Sequence, residues 1–229
     1  RTIVVSKALA EHYRQSHHRR VDYIPNGIGA PTARAPEHLG AMGVDRPFVL
    51  FVARLVPEKG CHLLLEAWQG LPADLRAAFR LVVAGDAGFT HGYADRLRRE
   101  APADVLFPGF VNGPRLEELY SAAAVMVLPS TLEGLSISLL EAMSYGRCCL
   151  VSDIPPNLEA GGDAAASFRS GDAGDLRREL VALLRDEPRR QRLGLAAQAH
   201  ARENYDWDRV AADTAALYRQ LLAGSSKSI

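Results

Sequence analysis

The sequence predicts a doubly wound α/β fold, in which a parallel sheet is covered by helices on both faces. In the middle of the chain, short apolar runs alternate with stretches whose apolar residues recur at helical spacing. The apolar runs show no polar alternation, which is typical of parallel strands buried on both sides. The last third of the chain has only the helical pattern, so we expect a helical C-terminal segment.

The N-terminal stretch predicts a small unit of its own. Short strands are expected at 2–5 and 21–24, and the helix between them begins after the capping residue Ser6. A connector rich in Pro, Gly and Ala follows. We therefore expect residues 1–28 to be the end of one domain with its linker, and residues 29–229 to form a larger domain.

The larger domain alternates strands with helices. The helix predicted from Pro114 to Ala123 places Leu116, Leu119 and Tyr120 on one face. Strands are predicted at 48–53, 79–84, 105–107, 125–128, 149–152 and 165–168. Further helices between these strands are predicted at 61–69, at 94–100 and from Ile137. After residue 176 three helices follow, the last over about 206–223.

Composition excludes some classes of function. The chain has 27 basic and 27 acidic residues, so no global field attracts nucleic acid, and we expect no nucleic-acid partner. The three cysteines lack metal spacing and are expected as reduced, buried side chains in a cytoplasmic protein. No apolar run approaches the length of a membrane span.

The sequence opens at Arg1 directly before an expected strand, so we expect a piece of a longer polypeptide.

Two loops at strand ends carry residues suited to phosphate. Ligands of an open parallel sheet bind beyond the carboxyl ends of its strands. Arg54 and Lys59 follow the strand at 48–53, and two cations on one loop suit a diphosphate, with solvated surface charges as the alternative. Ser136 follows the strand at 125–128 and is expected to cap a helix whose N-terminus is open to an anion.

Two carboxylates flank that helix start. Glu133 precedes it and Glu141 lies eight residues later. A carboxylate beside a phosphate site repels phosphate, but it accepts hydrogen bonds from neutral hydroxyls. The two loops together therefore predict a ligand that carries both phosphate and hydroxyl groups, such as those of a ribose or a sugar.

Other strand-end residues have simpler interpretations. Gly85 and Gly88 do not complete a G-x-G-x-x-G motif, so the sequence does not predict a dehydrogenase. The two glycines serve either as turn residues or to let the backbone approach a ligand. Asp86, Asp153 and Glu159 are expected in turns or as caps. No histidine has a partner at metal spacing, and we expect no metal site.

Several motifs occur in the order found in one enzyme family. They are Ile24–Pro25–Asn26–Gly27, Arg54–Leu55–Val56–Pro57–Glu58–Lys59–Gly60, Leu81–Val82–Val83–Ala84–Gly85, Phe107–Pro108–Gly109–Phe110–Val111, Leu128–Pro129–Ser130, and Glu133 and Glu141 in an E-x7-E pattern. With them, essentially the whole chain resembles the C-terminal, donor-binding domain of the family 4 (group 1) retaining glycosyltransferases, which have the two-domain GT-B fold.

The resemblance implies a role for each matching residue. Arg54 and Lys59 would bind the diphosphate of the donor and stabilise charge on the leaving nucleotide, and Glu133 would contact the transferred sugar. We expect these three as the catalytic residues. The donor-binding set is Gly85 at a strand end, Val111 at the base, Gly134, Leu135 and Ser136 at the distal phosphate and sugar, Ile137 beside the nucleoside, and Glu141 at the ribose hydroxyls.

The resemblance also implies partners. The donor would be a nucleotide-diphosphate sugar, and neither a metal nor another cofactor would be needed. A carbohydrate or lipid-linked acceptor would bind to a separate N-terminal domain, through which the enzyme would also reach the inner face of a membrane. The last helix would pack on that domain, and without it the apolar stripe from Trp207 to Leu221 would drive self-association.

One departure and two alternatives stay open. Leu135–Ser136 stands where the family usually has Phe–Gly, which brings a side chain toward the sugar. The first alternative is an epimerase or phosphorylase of the same fold, but no extra acid–base pair or cofactor lysine is evident. The second is a non-catalytic module that binds nucleotide sugars.

Overall fold

The computed structural model describes residues 2–87 and 91–225, and its fold confirms the predicted class. Two short strands pair in parallel near the N-terminus, and six further parallel strands form the main sheet. Within the described residues the strands are β1 (Ile3–Val4), β2 (Asp22–Tyr23), β3 (Phe48–Val52), β4 (Arg80–Ala84), β5 (Val105–Gly109), β6 (Val125–Leu128), β7 (Cys148–Ser152) and β8 (Ala166–Phe168).

Helices follow most strands, as the periodicity predicts. None of those in the described residues is long and apolar enough to cross a membrane. They are α1 (Lys7–His17), α2 (Cys61–Gln69), α3 (Ala73–Ala78), α4 (His91–Glu100), α5 (Gly113–Ala122), α6 (Ile137–Ser144), α7 (Pro155–Gly161), α8 (Ala173–Arg185), α9 (Glu187–Asn204) and α10 (Trp207–Ser225).

Two helices correct the prediction. No helix was predicted between the strands at 149–152 and 165–168, yet α7 occupies much of that segment. Pro155 and Pro156 begin this helix, where the fixed φ angle of proline suits the first turn and its missing N–H costs nothing. The six-residue helix α3 was not predicted, because so short a segment shows hardly two helical turns of pattern.

The strand order creates a crevice at one place. The main sheet runs β5-β4-β3-β6-β7-β8, so the chain winds outward from β3 to β5 and then returns to β6 on the other side of β3. Connections after β3 and β6 therefore leave on opposite faces of the sheet, and their loops separate at the carboxyl ends of these strands. This switch point is where open α/β sheets bind ligands.

Side chains of the sheet alternate between two apolar layers. From β3, Val49 and Phe51 join the layer with α2, α3, α4 and α8, whereas Phe48 and Leu50 join the layer with α5, α6, α7 and α9. All four are essentially inaccessible, and burying each stabilises the fold by about 1.5–3 kcal/mol. A sheet covered on both faces explains why its strands are continuous apolar runs.

The cysteines are buried and unbonded to one another, as predicted. Cys148 and Cys149 lie on opposite faces of β7, one in each apolar layer, and Cys61 begins α2. Burial raises the pKa of Cys148 and of Cys61 to about 12. These thiols therefore stay protonated and act as small apolar side chains.

Helix α10 returns to the N-terminal segment. Val210 and Leu217 form a small apolar cluster with Ile24, which follows β2. Trp207 packs on Gly27, where an added Cβ would lie 2.6 Å from a ring carbon. The helix thus packs on residues that the sequence assigns to the other domain, and the division at residue 28 itself stays a prediction.

The three strand-end acids expected in turns or as caps differ in their contacts, since only the Asp86 contact is local to a turn. Asp86 accepts a hydrogen bond from the amide of Ala87 at 2.7 Å, and Asp153 accepts one from Ser170 at 2.8 Å. Glu159 accepts from the amides of Lys7 at 2.8 Å and Ala8 at 3.1 Å, at the start of α1. The turn predicted at Gly88 lies outside the described residues.

Candidate functional site

The loops that follow β3 and β6 are fastened to each other. Gly60 has φ +71°, and a Cβ there would collide with the carbonyl oxygen of Pro129. Only glycine allows both this conformation and this approach. The amide of Thr131 donates to the carbonyl of Glu58 at 2.9 Å. The β3 loop is thereby held against the end of β6, where the two sets of predicted site residues begin.

A second glycine brings three strand ends together. Gly85 has φ +152°, and a Cβ there would collide with the carbonyl oxygen of Ala53. Its amide donates to the carbonyl of Gly109 at 2.8 Å. These contacts require glycine for the packing of strand ends against one another, a reason that the sequence did not predict, and the expected role of Gly85 at a donor stays a prediction.

A cleft of about 790 Å³ lies at the switch point between the loops. It joins the ends of β3, β4, β5 and β6 to the start of α6, so residues far apart in sequence share one surface. Nine of the predicted site residues line it: Arg54, Lys59, Gly85, Val111, Glu133, Leu135, Ser136, Ile137 and Glu141.

One predicted residue does not line the cleft. Gly134 lies against the first segment of the chain, and a Cβ there would meet side-chain carbons of Val5 at 3.4 Å and Leu9 at 3.5 Å. The expectation that its amide binds phosphate stays a prediction.

Other residues that line the cleft were not predicted as site residues from the sequence. Phe110 and Asn112 belong to the loop after β5, and Ser138 lies in the first turn of α6. Phe110 is 74% exposed, which is unusual for a phenylalanine. The apolar pattern of the sequence does not distinguish such an exposed aromatic residue from a buried one.

Helix α6 presents its N-terminus to the cleft. The Ser136 hydroxyl accepts a hydrogen bond from the amide of Leu139 at 3.4 Å, as the capping prediction requires, and lies 3.1 Å from the Ser138 hydroxyl. The added side chain at Ser136 is therefore engaged in the helix cap. The remaining amides of the first turn and the helix dipole favour an anion here.

Lys59 and Glu133 form an ion pair within the cleft. Lys59 Nζ lies 2.7 Å from Glu133 Oε1, and the two side chains are 19% and 5% exposed. Arg54 is exposed and makes no ion pair with any residue in the described ranges. The positive charge of Arg54 is thus uncompensated, while that of Lys59 is balanced by its neighbour.

Glu141 has a different environment. Its carboxylate accepts a hydrogen bond from the hydroxyl of Tyr120 at 2.8 Å. Burial raises the pKa of Glu141, and the hydrogen bond from Tyr120 partly offsets this effect. Tyr120 itself was predicted only as an apolar position of its helix, because the periodicity reports a face and not the partner of a hydroxyl.

Two further features lie outside the cleft. A cavity of about 600 Å³ between residues 28–31 and α9 contains none of the predicted site residues. Among the described residues, Glu37, His38 and Glu118 bring ligand atoms within 4.8 Å of one another. His38 Nδ1 lies 2.5 Å from Glu118 Oε1, so a direct hydrogen bond already joins the segment before β3 to α5.

Comparison with known proteins identifies related sequences. Residues 41–200 match the family model described as glycosyl transferases group 1. The chain is 30% identical to alpha-maltose-1-phosphate synthase of Mycobacterium tuberculosis over 226 residues, covering 89% of this chain and 57% of that protein. It is 27% identical to O-antigen chain mannosyltransferase B of Escherichia coli over 202 residues, covering 87% and 52%. The chain spans about half the length of the curated relatives it matches.

A solved structure has the same fold. Anabaena HepE in complex with UDP-glucose superposes with a TM-score of 0.80 at 21% identity, covering 99% of this chain and 63% of HepE. The superposition covers nearly the whole chain, and it confirms the fold that the sequence predicts.

Proposed function

The chain belongs to the group 1 glycosyl transferases, and on that premise we propose that it is the donor-binding part of a retaining glycosyltransferase. Its donor is a nucleotide-diphosphate sugar, and its acceptor is a carbohydrate or lipid-linked molecule. The observation that carries the proposal is the cleft itself, which combines two cations and a helix N-terminus with the carboxylates of Glu133 and Glu141, beside a third at Asp86.

The cationic side of the cleft suits the diphosphate. Arg54 and Lys59 come from the β3 loop, and the first-turn amides of α6 come from the other side of the switch point. Charge builds on the diphosphate as the bond from sugar to phosphate breaks, and groups already oriented toward that charge lower the barrier. These cations supply the stabilisation that a metal ion would otherwise provide.

The carboxylates suit the neutral parts of the donor. Glu133 lies beside Lys59, which places an acceptor of sugar hydroxyls next to a cation for phosphate. Glu141 lies in α6, one turn after Ile137, and accepts the ribose hydroxyls. In the proposed arrangement Glu133 takes the sugar, the two cations take the diphosphate and Glu141 takes the ribose.

The relatives support this assignment. HepE holds UDP-glucose on the same fold, and O-antigen chain mannosyltransferase B is named for sugar transfer. Because the chain spans about half of its relatives, we assign the acceptor to a part of the enzyme outside this sequence. The cytoplasmic location and the contact with a membrane through another domain stay predictions.

Titration calorimetry with UDP, GDP, ADP and their glucose and mannose conjugates tests the proposal. We expect micromolar affinity for at least one nucleotide, and loss of most of that affinity in Arg54→Ala. Arg99→Ala, which removes an exposed arginine outside the cleft, is the matched control and should bind like wild type. Affinity that is millimolar or absent for every nucleotide in the panel would remove the proposal.

A further inference from the structure

We propose that Tyr120 is a positioning residue that orients the Glu141 carboxylate toward the ribose, and so sets a preference for ribonucleotides over 2′-deoxyribonucleotides. The inference rests on the proposed function, because it concerns the ribose of the same donor. It goes further by assigning a specificity role to a buried tyrosine of α5.

The hydrogen bond defines which carboxylate oxygen is engaged. The Tyr120 hydroxyl lies 2.8 Å from Glu141 Oε2, and the tyrosine side chain is 2% exposed. No other residue in the ranges 2–87 and 91–225 hydrogen-bonds to this carboxylate. Oε1 is therefore the oxygen left to accept from a ligand. Burial and the charge of Glu141 raise the pKa of Tyr120, so the phenol keeps the proton that it donates.

Glu141 stands between two cavities. Its side chain lines the donor cleft and also a neighbouring cavity of about 340 Å³. Tyr120 lines only the second cavity. A glutamate has several rotatable bonds, and without a fixed donor its carboxylate would distribute between the two spaces. The Tyr120 hydroxyl restricts that freedom and fixes one orientation before the ligand arrives.

The tyrosine ring is itself held from the opposite side. Tyr145 stacks on Tyr120 with ring centroids 5.5 Å apart and planes at 27°. The Tyr145 hydroxyl donates to the carbonyl of Thr32 at 3.2 Å and lies 3.3 Å from the Thr32 amide, which donates to it. A continuous set of contacts thus runs from Thr32, in the segment before β3, through two tyrosines to the carboxylate in the cleft.

The test compares nucleotide pairs that differ only at the 2′ position. The tightest-binding nucleoside diphosphate of the UDP, GDP and ADP panel and its 2′-deoxy counterpart are titrated into wild type and Tyr120→Phe. We expect wild type to prefer the ribonucleotide by about tenfold or more, as for one hydrogen bond to a charged group. In Tyr120→Phe the preference should fall below about threefold, mainly through weaker binding of the ribonucleotide.

A matched control separates positioning from packing. Tyr205 is also a buried tyrosine, and its hydroxyl lies 3.5 Å from the carbonyl of Glu159, outside the donor cleft. Tyr205→Phe removes a buried hydroxyl of the same kind and should keep the wild-type preference. A merely structural tyrosine would weaken both members of the nucleotide pair equally and leave their ratio unchanged.

Specific outcomes overturn the inference. Retention of the wild-type preference in Tyr120→Phe would do so and would leave the proposed function standing. A wild type that binds diphosphates without any 2′ preference would also overturn it. Absence of nucleotide binding in wild type would instead remove the proposed function.

A second variant covers failure of Tyr120→Phe to fold. Glu141→Ala is then compared with the double variant Tyr120→Phe/Glu141→Ala, in which no side-chain oxygen at position 141 is left for Tyr120 to orient. Equal 2′ preferences support the inference, because Tyr120 acts only through the carboxylate. A further loss of preference in the double variant would contradict it.

Discussion

Lys59 Nζ lies 2.7 Å from Glu133 Oε1, and this ion pair joins the loops that follow β3 and β6. The family resemblance gives the two residues separate tasks, one at the diphosphate and one at the sugar. In the protein without donor they neutralise each other. Under the proposed function, the donor would enter a site in which Lys59 is already oriented by a carboxylate, and Glu133 and the phosphate would share the cation.

The first prediction concerns the stability of this pair. Lys59→Ala should lower the free energy of unfolding by about 1–3 kcal/mol, because it leaves a carboxylate that is 5% exposed without its cation. The double variant Lys59→Ala/Glu133→Gln should recover most of the loss, since it removes the unpaired charge. Urea denaturation at pH 7 measures both, and a single variant as stable as wild type would contradict the buried pair.

The second prediction concerns the diphosphate. Arg54→Ala and Lys59→Ala should each weaken the binding of a nucleoside diphosphate by about 1–3 kcal/mol, the range for hydrogen bonds to charged groups. Binding of the free nucleoside should change little, because neither cation is placed at the base or the ribose. Calorimetry with the diphosphate and the nucleoside measures the difference, and equal effects on both ligands would place these residues elsewhere in the site.

The third prediction concerns pH and Glu141. Burial raises the pKa of this carboxyl above its ordinary value of 4.5, so folding favours its protonated form. The ionised carboxylate therefore opposes folding at pH 7. Glu141→Gln should raise the free energy of unfolding at pH 7, and the gain should shrink as the pH falls toward 4, where the native carboxyl becomes neutral.

Denaturation of wild type and Glu141→Gln between pH 7 and pH 4 measures whether the variant gains or loses stability at each pH. Glu66→Gln changes an exposed glutamate of α2 and is the control, with no gain expected. A Glu141→Gln variant less stable than wild type at pH 7 would show that the ionised carboxylate supports the fold. We expect the same variant to bind nucleotide more weakly, because functional residues often destabilise the fold that carries them.

The fourth prediction concerns α10. Trp207 and Tyr218 are 51% and 59% exposed, so part of the predicted apolar stripe faces outward. We expect this chain to self-associate through α10, with a sedimentation coefficient that rises with protein concentration. Tyr218→Glu should remove that dependence. Sedimentation that stays monomeric at every concentration would show that the exposed stripe does not bind a second copy.

Much of the fold could be predicted because the strands are covered on both faces. Runs such as Val125–Leu128 are apolar at every position, and the structure places β6 there. Helix α7 was not predicted, although Pro155 and Pro156 suit the first turn of a helix, because a proline pair is also common in loops. Whether such a pair ends one element or begins another depends on the packing that follows.

The candidate site was predicted in part, for a physical reason. The rule that ligands bind at the carboxyl ends of parallel strands brings Arg54, Lys59, Glu133 and Glu141 to one edge. The pairing of Lys59 with Glu133 could not be predicted, because 74 residues separate them and local patterns carry no distances. The hydrogen bond from Tyr120 to Glu141 could not be predicted for the same reason.

The position of a bound nucleotide tests the central claim most directly. A crystal structure of the chain with the tightest-binding nucleoside diphosphate should show the phosphates between Arg54 and the first turn of α6. The ribose should lie beside Glu141. A nucleotide bound elsewhere, such as in the cavity between residues 28–31 and α9, would contradict the account.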